Sequence, residues 1–455
     1  MSRKNTHQKI IYQLTDKRIP AVTGIGLVGD ILDKAGFFDL LRSVRISEKR
    51  SRKQINPGSV LATFIALLCM GKPDFDYVRE LQNDAAYYQN ALHVNGFPSS
   101  ATLRQRMDEI GSSLRTMLLG FNVDLLRKNG AAPTALSNGM IPLDIDVTPM
   151  DNSDTKKEGV SWTYKQFDGY APIMAYLGKE GYLANLELRT GSQHCQKGTP
   201  DFLHQTLTLC RKITSSPLLV RLDSGNDAAE NIGIMLEHGA YYVIKRNLRK
   251  EGKDEWAENI RSWCKDVRHP REGKTVYVGS TFKDVDYTTG NGESRTICNR
   301  IVYEMIERTS KANGQMLLIP EIELNMFWTN LGQSDQEIID LYHAHGECEQ
   351  FHSEIKTDMG VERLPSGKFD TNELVLELTL IAYNILRMLG QEVVSQGNAP
   401  AKRAVSRKRV RTVIQNVIHF AGQVTQHARQ LLLSLSGSNA WAECFLSLTR
   451  RFCVN

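Results

Sequence analysis

Short strand-like segments that begin abruptly near residue 138 constrain the fold of this chain more than any other feature. Each is rich in β-branched or aromatic residues and ends in a turn, as in "MIPLDIDVT", "SWTYKQF", "YAPIMAYLG" and "YLANLELRTG". A helix follows, with Thr199 and Pro200 suited to its N-terminus, and then come the strand "PLLVRLD", a helix from about 226 and the strand "YYVIKR". This order predicts an α/β fold with a mixed sheet.

The α/β pattern is interrupted once. Residues 250–325 contain Trp256, Trp263 and alternating strand patterns, which predict a β-rich insertion. The strand "LNMFWTNL" resumes the layered pattern, a long helix starts at about 334, and the strongly apolar helix "NELVLELTLIAYNILRMLG" follows. We therefore predict one α/β unit built from residues 138–249 and 326–395, with the insertion between its two parts.

Helical regions are predicted at both ends of the chain. Amphipathic runs broken by proline and glycine indicate an all-α N-terminal domain over residues 1–132, and a basic helical region is expected over 400–455. Within the first region, "FPSSATLRQRMDEIG" fits either a helix-turn-helix element that presents Arg104 and Arg106 to DNA or a capped surface helix.

The positive charge is concentrated in two segments. From residue 401 onward there are nine Lys or Arg and one acid, and "RISEKRSRK" at 45–53 has five bases and one acid. A polyanionic partner bound by both basic segments would explain why the chain has two of them, whereas a solvated surface explains either segment alone.

The composition excludes several classes of protein. A hydrophobic fraction of 41% with 24% charged residues is typical of a soluble globular protein, and the longest apolar run, "VLATFIALLCM", is too short to cross a bilayer. The N-terminus lacks the pattern of a secretion signal, and the eight cysteines contain no C-x-x-C pair. We expect reduced thiols, no zinc ribbon and a cytoplasmic location.

Three acids on predicted strands are candidates for chemistry. In "LDIDVT", Asp144 and Asp146 are two residues apart, so both side chains point to one face of the strand while the apolar neighbours point to the other. Asp223 ends the apolar strand "LLVRLD", where ligands of open α/β sheets tend to bind, although an acid there is also a common turn or cap residue.

The helix that contains "LYHAHGECEQFHSEIK" offers a further acid. At about 100° per residue, five side chains share an arc of roughly 80° beside the apolar face: Tyr342, His345, Glu349, His352 and Lys356. Glu349 is thus positioned to join a site on the sheet, whereas Glu347 and Glu354 are expected to face solvent. A zinc site formed by His345, Glu349 and His352 is an alternative with allowable i, i+4, i+7 spacing.

The order of strand acid, strand-end acid, β-rich insertion and helical glutamate resembles that of the DDE transposases of bacterial insertion sequences. That family carries a Y-x-x-R-x-x-x-E-x-x-x-x-x-x-K pattern on the helix of its third acid, and here Tyr342, His345, Glu349 and Lys356 stand at those spacings. The stretches "LDIDVTPMDNS", "DGYAPIMAYLG", "GSQHCQKGTP" and "RLDSGN" resemble the insertion-sequence group numbered thirteen-eighty. The similarity extends over about 138–395.

The resemblance implies a ribonuclease-H-like catalytic domain with Asp146, Asp223 and Glu349 as catalytic residues and metal ligands, and Asp144 as the alternative to Asp146. Tyr342, His345 and Lys356 would contact DNA or organise the site. His345 stands where the family has Arg, and an imidazole lacks the bidentate grip of Arg on phosphate.

The implied cofactor is a pair of Mg²⁺ ions, for which Mn²⁺ can substitute, and the implied partners are double-stranded DNA, as terminal inverted repeats and as target, and a second copy of the chain. The protein would be a nucleoid-associated bacterial transposase that cleaves and joins DNA ends. Two alternatives are a catalytically silent DNA-binding protein derived from a transposase and an unrelated metal-dependent nuclease. One of Trp256, Trp263 and Trp328 could stack on an unstacked base.

Overall fold

A nine-stranded mixed sheet forms the centre of the computed structural model. The structure describes residues 10–42, 44, 55–290, 292–400, 405–428 and 430–453, so the basic segment 45–53 and residues 401–404 lie outside it. The strands of this sheet, in chain order, are β1 (Ile141–Val147), β5 (Ile173–Leu177), β6 (Tyr182–Glu187), β7 (Leu218–Leu222), β8 (Tyr241–Lys245), β9 (Asp266–Arg271), β10 (Lys274–Thr288), β11 (Ser294–Ser310) and β12 (Met316–Thr329).

The first five of these strands have the order β6-β5-β1-β7-β8, with β1 at the centre. The pairs β1–β5 and β5–β6 are antiparallel, whereas β1–β7 and β7–β8 are parallel. The parallel pairs require crossovers, which α8 (Thr199–Ile213) and α9 (Ala229–Glu237) provide. The α/β prediction with a mixed sheet is therefore confirmed.

The stretch predicted as a β-rich insertion extends the same sheet. Strand β12 pairs antiparallel with β8, and β11, β10 and β9 follow outward, each antiparallel to its neighbour. One helix, α10 (Lys253–Trp263), precedes these strands.

The two faces of the sheet are covered differently. Helices α8 and α9 pack on one face with Leu143, Val220 and Ile232 in the core. On the other face, α13 (Phe369–Gln396) and α7 (Arg115–Lys128) contact β6. They share an apolar core with the other helices that precede β1, which are α1 (Ile25–Ala35), α2 (Phe37–Arg42), α3 (Pro57–Cys69), α4 (Val78–Asn83), α5 (Ala85–Ala91) and α6 (Ser100–Ile110). The N-terminal helices and the sheet thus share one apolar core.

Helix α6 contains the segment considered for DNA reading. The Ser99 side chain accepts a hydrogen bond from Thr102 N, which makes it the N-cap. Arg106 is buried and pairs with Glu109, and the guanidinium of Arg104 lies 5.1 Å from the ring centroid of Phe75. These arginines contact their own helical unit, which favours the capped helix over the DNA-reading element.

A small three-stranded sheet branches from the end of β1. It consists of β2 (Met150–Asp151), β3 (Ser161–Trp162) and β4 (Asp168–Tyr170), and both outer strands pair antiparallel with β4.

The C-terminal region is only partly helical. After α14 (Val410–Val413) and a π turn, β13 (Gly422–His427) and β14 (Gln430–Leu435) form an antiparallel hairpin, and α15 (Ala442–Phe452) follows. The prediction of a helical region is therefore wrong over the hairpin. Alternate leucines of β14 explain the difference, because Leu431, Leu433 and Leu435 pack against the core while the residues between them face solvent.

The basic residues of this region are partly neutralised. Arg409 and Arg411 both pair with Asp358, whose side chain is fully buried, and Arg407 pairs with Glu347. Within the described ranges, no helix has the length and apolar character needed to cross a membrane.

Candidate functional site

The parallel pairing of β1 and β7 brings two of the predicted acids together. Ile145 is the register partner of Leu222, so Asp146 and Asp223, the next residue on each strand, lie at the same edge of the sheet. Asp223 ends β7 and caps a 3₁₀ turn, where its Oδ1 accepts hydrogen bonds from Asn226 Nδ2 at 2.9 Å and Gly225 N at 3.2 Å. This turn holds the carboxylate at the carboxyl end of the strand.

A continuous helical stretch carries the third acid. It begins with α11 (Asp335–His343), which has a capping box formed by Ser334 and Glu337, passes through a 3₁₀ turn into α12 (Cys348–Ser353), and ends in a π turn over Glu354–Asp358. Changes of helical pitch of this kind are frequent at functional sites. Glu349 lies in the first turn of α12 and is exposed to solvent.

A cleft of about 630 Å³ joins this helix to the end of β1. Its lining includes Asp146 and the three residues after it, a wall from Tyr164, Lys165 and Phe167, and a second wall from Glu349, His352 and Lys356. Asp146 and Glu349 thus line one cleft, whereas Asp223 is not among its lining residues.

The charges of the two strand acids act on each other. Burial raises the pKa of Asp223, and the negative charge of Asp146 raises it further. Burial also raises the pKa of Asp146, but His352 is the largest of several opposing influences that together leave it below its usual range. Asp146 is therefore the acid that stays ionised, and Asp223 is destabilised as an anion beside it.

His352 is buried between the two sides of the site. Its Nδ1 hydrogen-bonds to the Tyr176 hydroxyl at 3.1 Å. Its Nε2 lies 3.4 Å from Asp146 Oδ2 but lacks hydrogen-bond geometry to a partner in the described part of the chain. The imidazole is thus held in place by Tyr176 and points one nitrogen at the acid.

Asp144, the alternative to Asp146, is already fully engaged. Arg221 donates to both of its oxygens, from Nε at 2.5 Å and from Nη2 at 2.7 Å, and His345 Nδ1 lies 3.0 Å from Oδ1. Burial raises the pKa of Asp144, but Arg221 and His345 together lower it below its usual range. A carboxylate shared by two cationic partners is a poor metal ligand, so the geometry favours Asp146.

Arg221 was not among the residues predicted from the sequence. Besides gripping Asp144, its Nη1 donates to the carbonyl of Leu341 on α11 at 2.8 Å. One guanidinium therefore ties together β1, β7 and the helix of the third acid. The available signal was an arginine inside the otherwise apolar strand "LLVRL", because a charged side chain at a buried strand position needs a buried partner.

His345 occupies this buried network and does not face the cleft. Burial lowers the pKa of His345, but the hydrogen bond and charge of Asp144 raise it more, which leaves it above its ordinary value and favours the protonated ring. Arg221 thus makes the bidentate contact with a carboxylate that a lone imidazole at position 345 could not make.

The predicted zinc set is not brought together. Among the described residues, the group of possible metal-binding side chains that lie close together is Asp144, His345 and Cys348. Arg221 already binds both oxygens of that aspartate, and burial raises the pKa of the Cys348 thiol well above its usual value. This arrangement places a fixed cation where a metal ion would bind.

The other two predicted organising residues hold the helix in place. Tyr342 is half-buried, with its ring centroid 4.6 Å from that of Phe327 and 5.9 Å from that of His345. Lys356 Nζ donates to the carbonyl of Pro149 at 3.0 Å, which links the helix to the loop after β1, and lies 3.7 Å from Glu362.

The expectation that Glu354 faces solvent is wrong. Its side chain is fully buried, pairs with the equally buried Arg387 and accepts a hydrogen bond from Tyr383 Oη at 3.3 Å. Helix α13 and the segment at Val410 cover the helical stretch at Glu354, so this side chain is enclosed. Glu347 is exposed as expected and pairs with Arg407.

Comparisons with known proteins complete these observations. The family model described as "Transposase DDE domain group 1" matches residues 2–453. A search among curated protein sequences gave no significant match. Among solved structures, a cryo-EM structure of a piggyBac transposase synaptic complex with hairpin DNA is similar with a TM-score of 0.42 and 10% identity, over 87% of this chain and 79% of that chain.

Proposed function

The chain belongs to the DDE transposase family and is a DDE-type DNA transposase, and from this premise we propose that it cleaves and joins the ends of an insertion sequence at Asp146, Asp223 and Glu349. One observation carries the assignment of the site. Asp146 and Asp223 end neighbouring parallel strands, and Asp146 shares a cleft with Glu349. The motifs resembling group thirteen-eighty support the narrower classification, as do Tyr342, Glu349 and Lys356 at the spacings of the Tyr-Arg-Glu-Lys signature, with His345 in place of the arginine.

The arrangement of the strands supports a ribonuclease-H-like catalytic core. Three antiparallel strands are followed by two that run parallel to the first, and the third acid lies on a helix after them. Such a core places carboxylates from several elements at one sheet edge, where a phosphodiester can bind.

The donor chemistry of the three acids suits a divalent metal, and among the described residues their oxygens do not converge as closely as the ligand atoms of Asp144, His345 and Cys348 do. DDE transposases use divalent metals, and we propose two Mg²⁺ ions, for which Mn²⁺ can substitute. Carboxylate oxygens are the ligands these ions prefer, and burial together with the charge of Asp146 raises the pKa of Asp223, so a cation would stabilise its anionic form. When bound, the metal supplies an activated nucleophile and stabilises the leaving oxygen.

The residues around the acids would orient them. Tyr342 and Lys356 anchor the helix to the sheet and to the loop after β1, so the Glu349 backbone is fixed relative to Asp146. His352 faces Asp146, and Arg221 with Asp144 and His345 aligns the three elements that carry the acids.

The proposed partners are double-stranded DNA and a second copy of the chain. Terminal inverted repeats would be bound first and target DNA later, with two ends held together in a homodimer. Neutralisation of Arg407, Arg409 and Arg411 by acids of the chain leaves the C-terminal region less free charge for DNA than its sequence suggests.

An end-cleavage and joining assay tests the proposal. Purified protein is incubated with labelled DNA carrying the terminal repeats that flank its gene, in Mg²⁺ or Mn²⁺, together with Asp146→Asn, Asp223→Asn and Glu349→Gln variants. We expect metal-dependent nicks at the repeat end and joined products in wild type, and a loss of at least about 100-fold in each variant. Glu347→Gln is the matched control, because Glu347 is on the same helical stretch but outside the cleft.

Two results would contradict the proposal. Cleavage of any duplex without preference for the repeat end would indicate an unrelated nuclease. Repeat binding by wild type with no more cleavage than the triad variants would indicate a silent DNA-binding protein.

A further inference from the structure

His352 brings a ring nitrogen into the catalytic cleft that the acid triad does not explain. The side chain is buried, at 5% exposure, and lines the cleft together with Asp146 and Glu349. Its Nε2 lies 3.4 Å from Asp146 Oδ2, yet it makes no hydrogen bond to any group in the described part of the chain. An unpaired buried polar atom costs free energy, which indicates that this nitrogen has a ligand as its partner.

The contacts of Tyr176 indicate which ring nitrogen of His352 carries the proton. Tyr176 lies on β5, two residues from Met174, which is the register partner of Asp146. The Tyr176 hydroxyl donates to Met174 Sδ at 3.2 Å, so its oxygen can accept a hydrogen bond from His352 Nδ1 at 3.1 Å. The opposite tautomer would place the proton on Nε2, for which the described residues offer no acceptor in hydrogen-bond geometry. His352 thus presents an unprotonated Nε2 to Asp146.

Two electron-pair donors therefore face each other across the 3.4 Å between His352 Nε2 and Asp146 Oδ2. The lone pair of the imidazole and the carboxylate repel each other in a buried site unless a cation binds both. Neighbouring ligands of an octahedral ion are about 3 Å apart, because each is about 2.1 Å from the ion, so this pair is spaced like two ligands of one ion. A histidine that binds metal also donates its other ring N–H to a fixed partner, as Nδ1 does to Tyr176.

We propose that His352 Nε2 is a ligand of one of the two metal ions, together with Asp146 Oδ2, and that it makes this position prefer a first-row transition ion such as Mn²⁺ over Mg²⁺. Mg²⁺ is a hard ion that binds through oxygen, whereas an imidazole nitrogen favours transition ions. Tyr176 is a positioning residue that holds the ring through Nδ1. The inference rests on the proposed function, because it takes a metal ion as the occupant of the acid site.

Pulsed electron paramagnetic resonance of bound Mn²⁺ tests the proposal, because the nitrogen of a ligating imidazole couples to the electron spin of the metal. The full chain with its terminal-repeat duplex is loaded with substoichiometric Mn²⁺, once with ordinary histidine and once with ¹⁵N-histidine. We expect a nitrogen coupling that changes with the isotope in wild type and is lost in His352→Gln. His343→Gln is the matched control and should keep the coupling, because His343 is exposed on the same helical stretch but outside the cleft.

Metal affinity, measured by titration calorimetry, gives a second readout. His352→Gln should bind Mn²⁺ at least about tenfold more weakly than wild type, while its affinity for Mg²⁺ stays within about threefold. Tyr176→Phe keeps the imidazole but removes its hydrogen-bond partner. This variant should bind Mn²⁺ about tenfold more weakly and still show the nitrogen coupling.

The outcomes separate this inference from the proposed function. Suppose that Mn²⁺ binds wild type and its binding is lost in Asp146→Asn, but wild type shows no coupling that depends on the histidine isotope. His352 is then not a ligand, and the acid site still stands. A coupling that persists in His352→Gln, or an equal loss of Mn²⁺ and Mg²⁺ affinity in that variant, would also refute the inference. If wild type and Asp146→Asn bind Mn²⁺ alike, the metal site of the proposed function itself fails.

Discussion

Replacing Arg221 with Met should destabilise the protein and misalign its catalytic acids. The guanidinium and Asp144 are each nearly fully buried, at 3% and 4% side-chain exposure, and share two hydrogen bonds of 2.5 and 2.7 Å. Removal of Arg221 leaves Asp144 with His345 as its remaining partner, 3.0 Å from Oδ1, which puts the cost at the lower end of the about 3–5 kcal/mol expected for breaking a buried ion pair. Arg221→Met should therefore lower the free energy of unfolding by about this amount.

A control variant distinguishes the stability lost with a buried ion pair from that lost with a surface ion pair. Arg308→Met is the matched control, because Arg308 pairs with the exposed Glu323 on the same sheet and such pairs contribute roughly 0–1 kcal/mol. Urea unfolding measures both, and residual end cleavage by Arg221→Met at a temperature where it is folded measures the misalignment. The double variant Asp144→Leu/Arg221→Met should recover most of the lost stability, because it buries no unpaired charge.

Two results would refute this reasoning. One is an Arg221→Met variant that is no less stable than Arg308→Met. The other is a double variant whose loss of unfolding free energy equals the sum of the losses in Arg221→Met and Asp144→Leu. That result would show that Asp144 and Arg221 do not stabilise each other.

Three further predictions concern other buried or bridging groups. Burial raises the pKa of Glu377 from 4.5 to about 8, so its contribution to stability is complete below about pH 4.5 and is lost as the pH rises through 8. The melting temperature should therefore fall over this pH range in wild type and fall less in Glu377→Gln. An identical pH profile in the two proteins would contradict this prediction. Glu354→Gln should cost about 3–5 kcal/mol by unpairing Arg387, measured by urea unfolding against Glu347→Gln, which should cost under about 1 kcal/mol. Lys356→Met should slow end cleavage more than tenfold with repeat binding within about threefold, because Lys356 holds the helix to Pro149; a loss confined to binding would instead indicate a phosphate contact.

Local sequence patterns were enough to predict where each candidate acid lies on its own strand or helix. Strand alternation placed Asp146 on a polar face, the end of an apolar strand marked Asp223, and helical phase separated Glu349 from Glu347. The strand and helix order predicted the mixed sheet as well, because each parallel pair needs a crossover that is visible in the sequence. These features are set by residues a few positions apart.

Features that depend on distant elements were missed or wrong. The role of Arg221 arises only when β1, β7 and α11 meet. Its partners Asp144 and Leu341 are 77 and 120 residues away in sequence. Glu354 faces α13. Helical phase relative to the sheet could not reveal that α13 also buries the side of the helix that points away from the sheet. The β13–β14 hairpin was read as helix because its leucine alternation is short and follows a basic segment with helical composition.

The central claim is that Asp146, Asp223 and Glu349 hold metal together, and Fe²⁺-directed cleavage of the polypeptide tests it most directly. Fe²⁺ bound in place of Mg²⁺, with ascorbate and peroxide, cuts backbone close to the ion, and the fragments are mapped by mass spectrometry. We predict cuts near residues 146, 223 and 349 in one sample, suppressed by excess Mn²⁺ and lost in Asp146→Asn but kept in Glu347→Gln. Cuts that are absent from these three positions, or that persist in Asp146→Asn, would contradict the account.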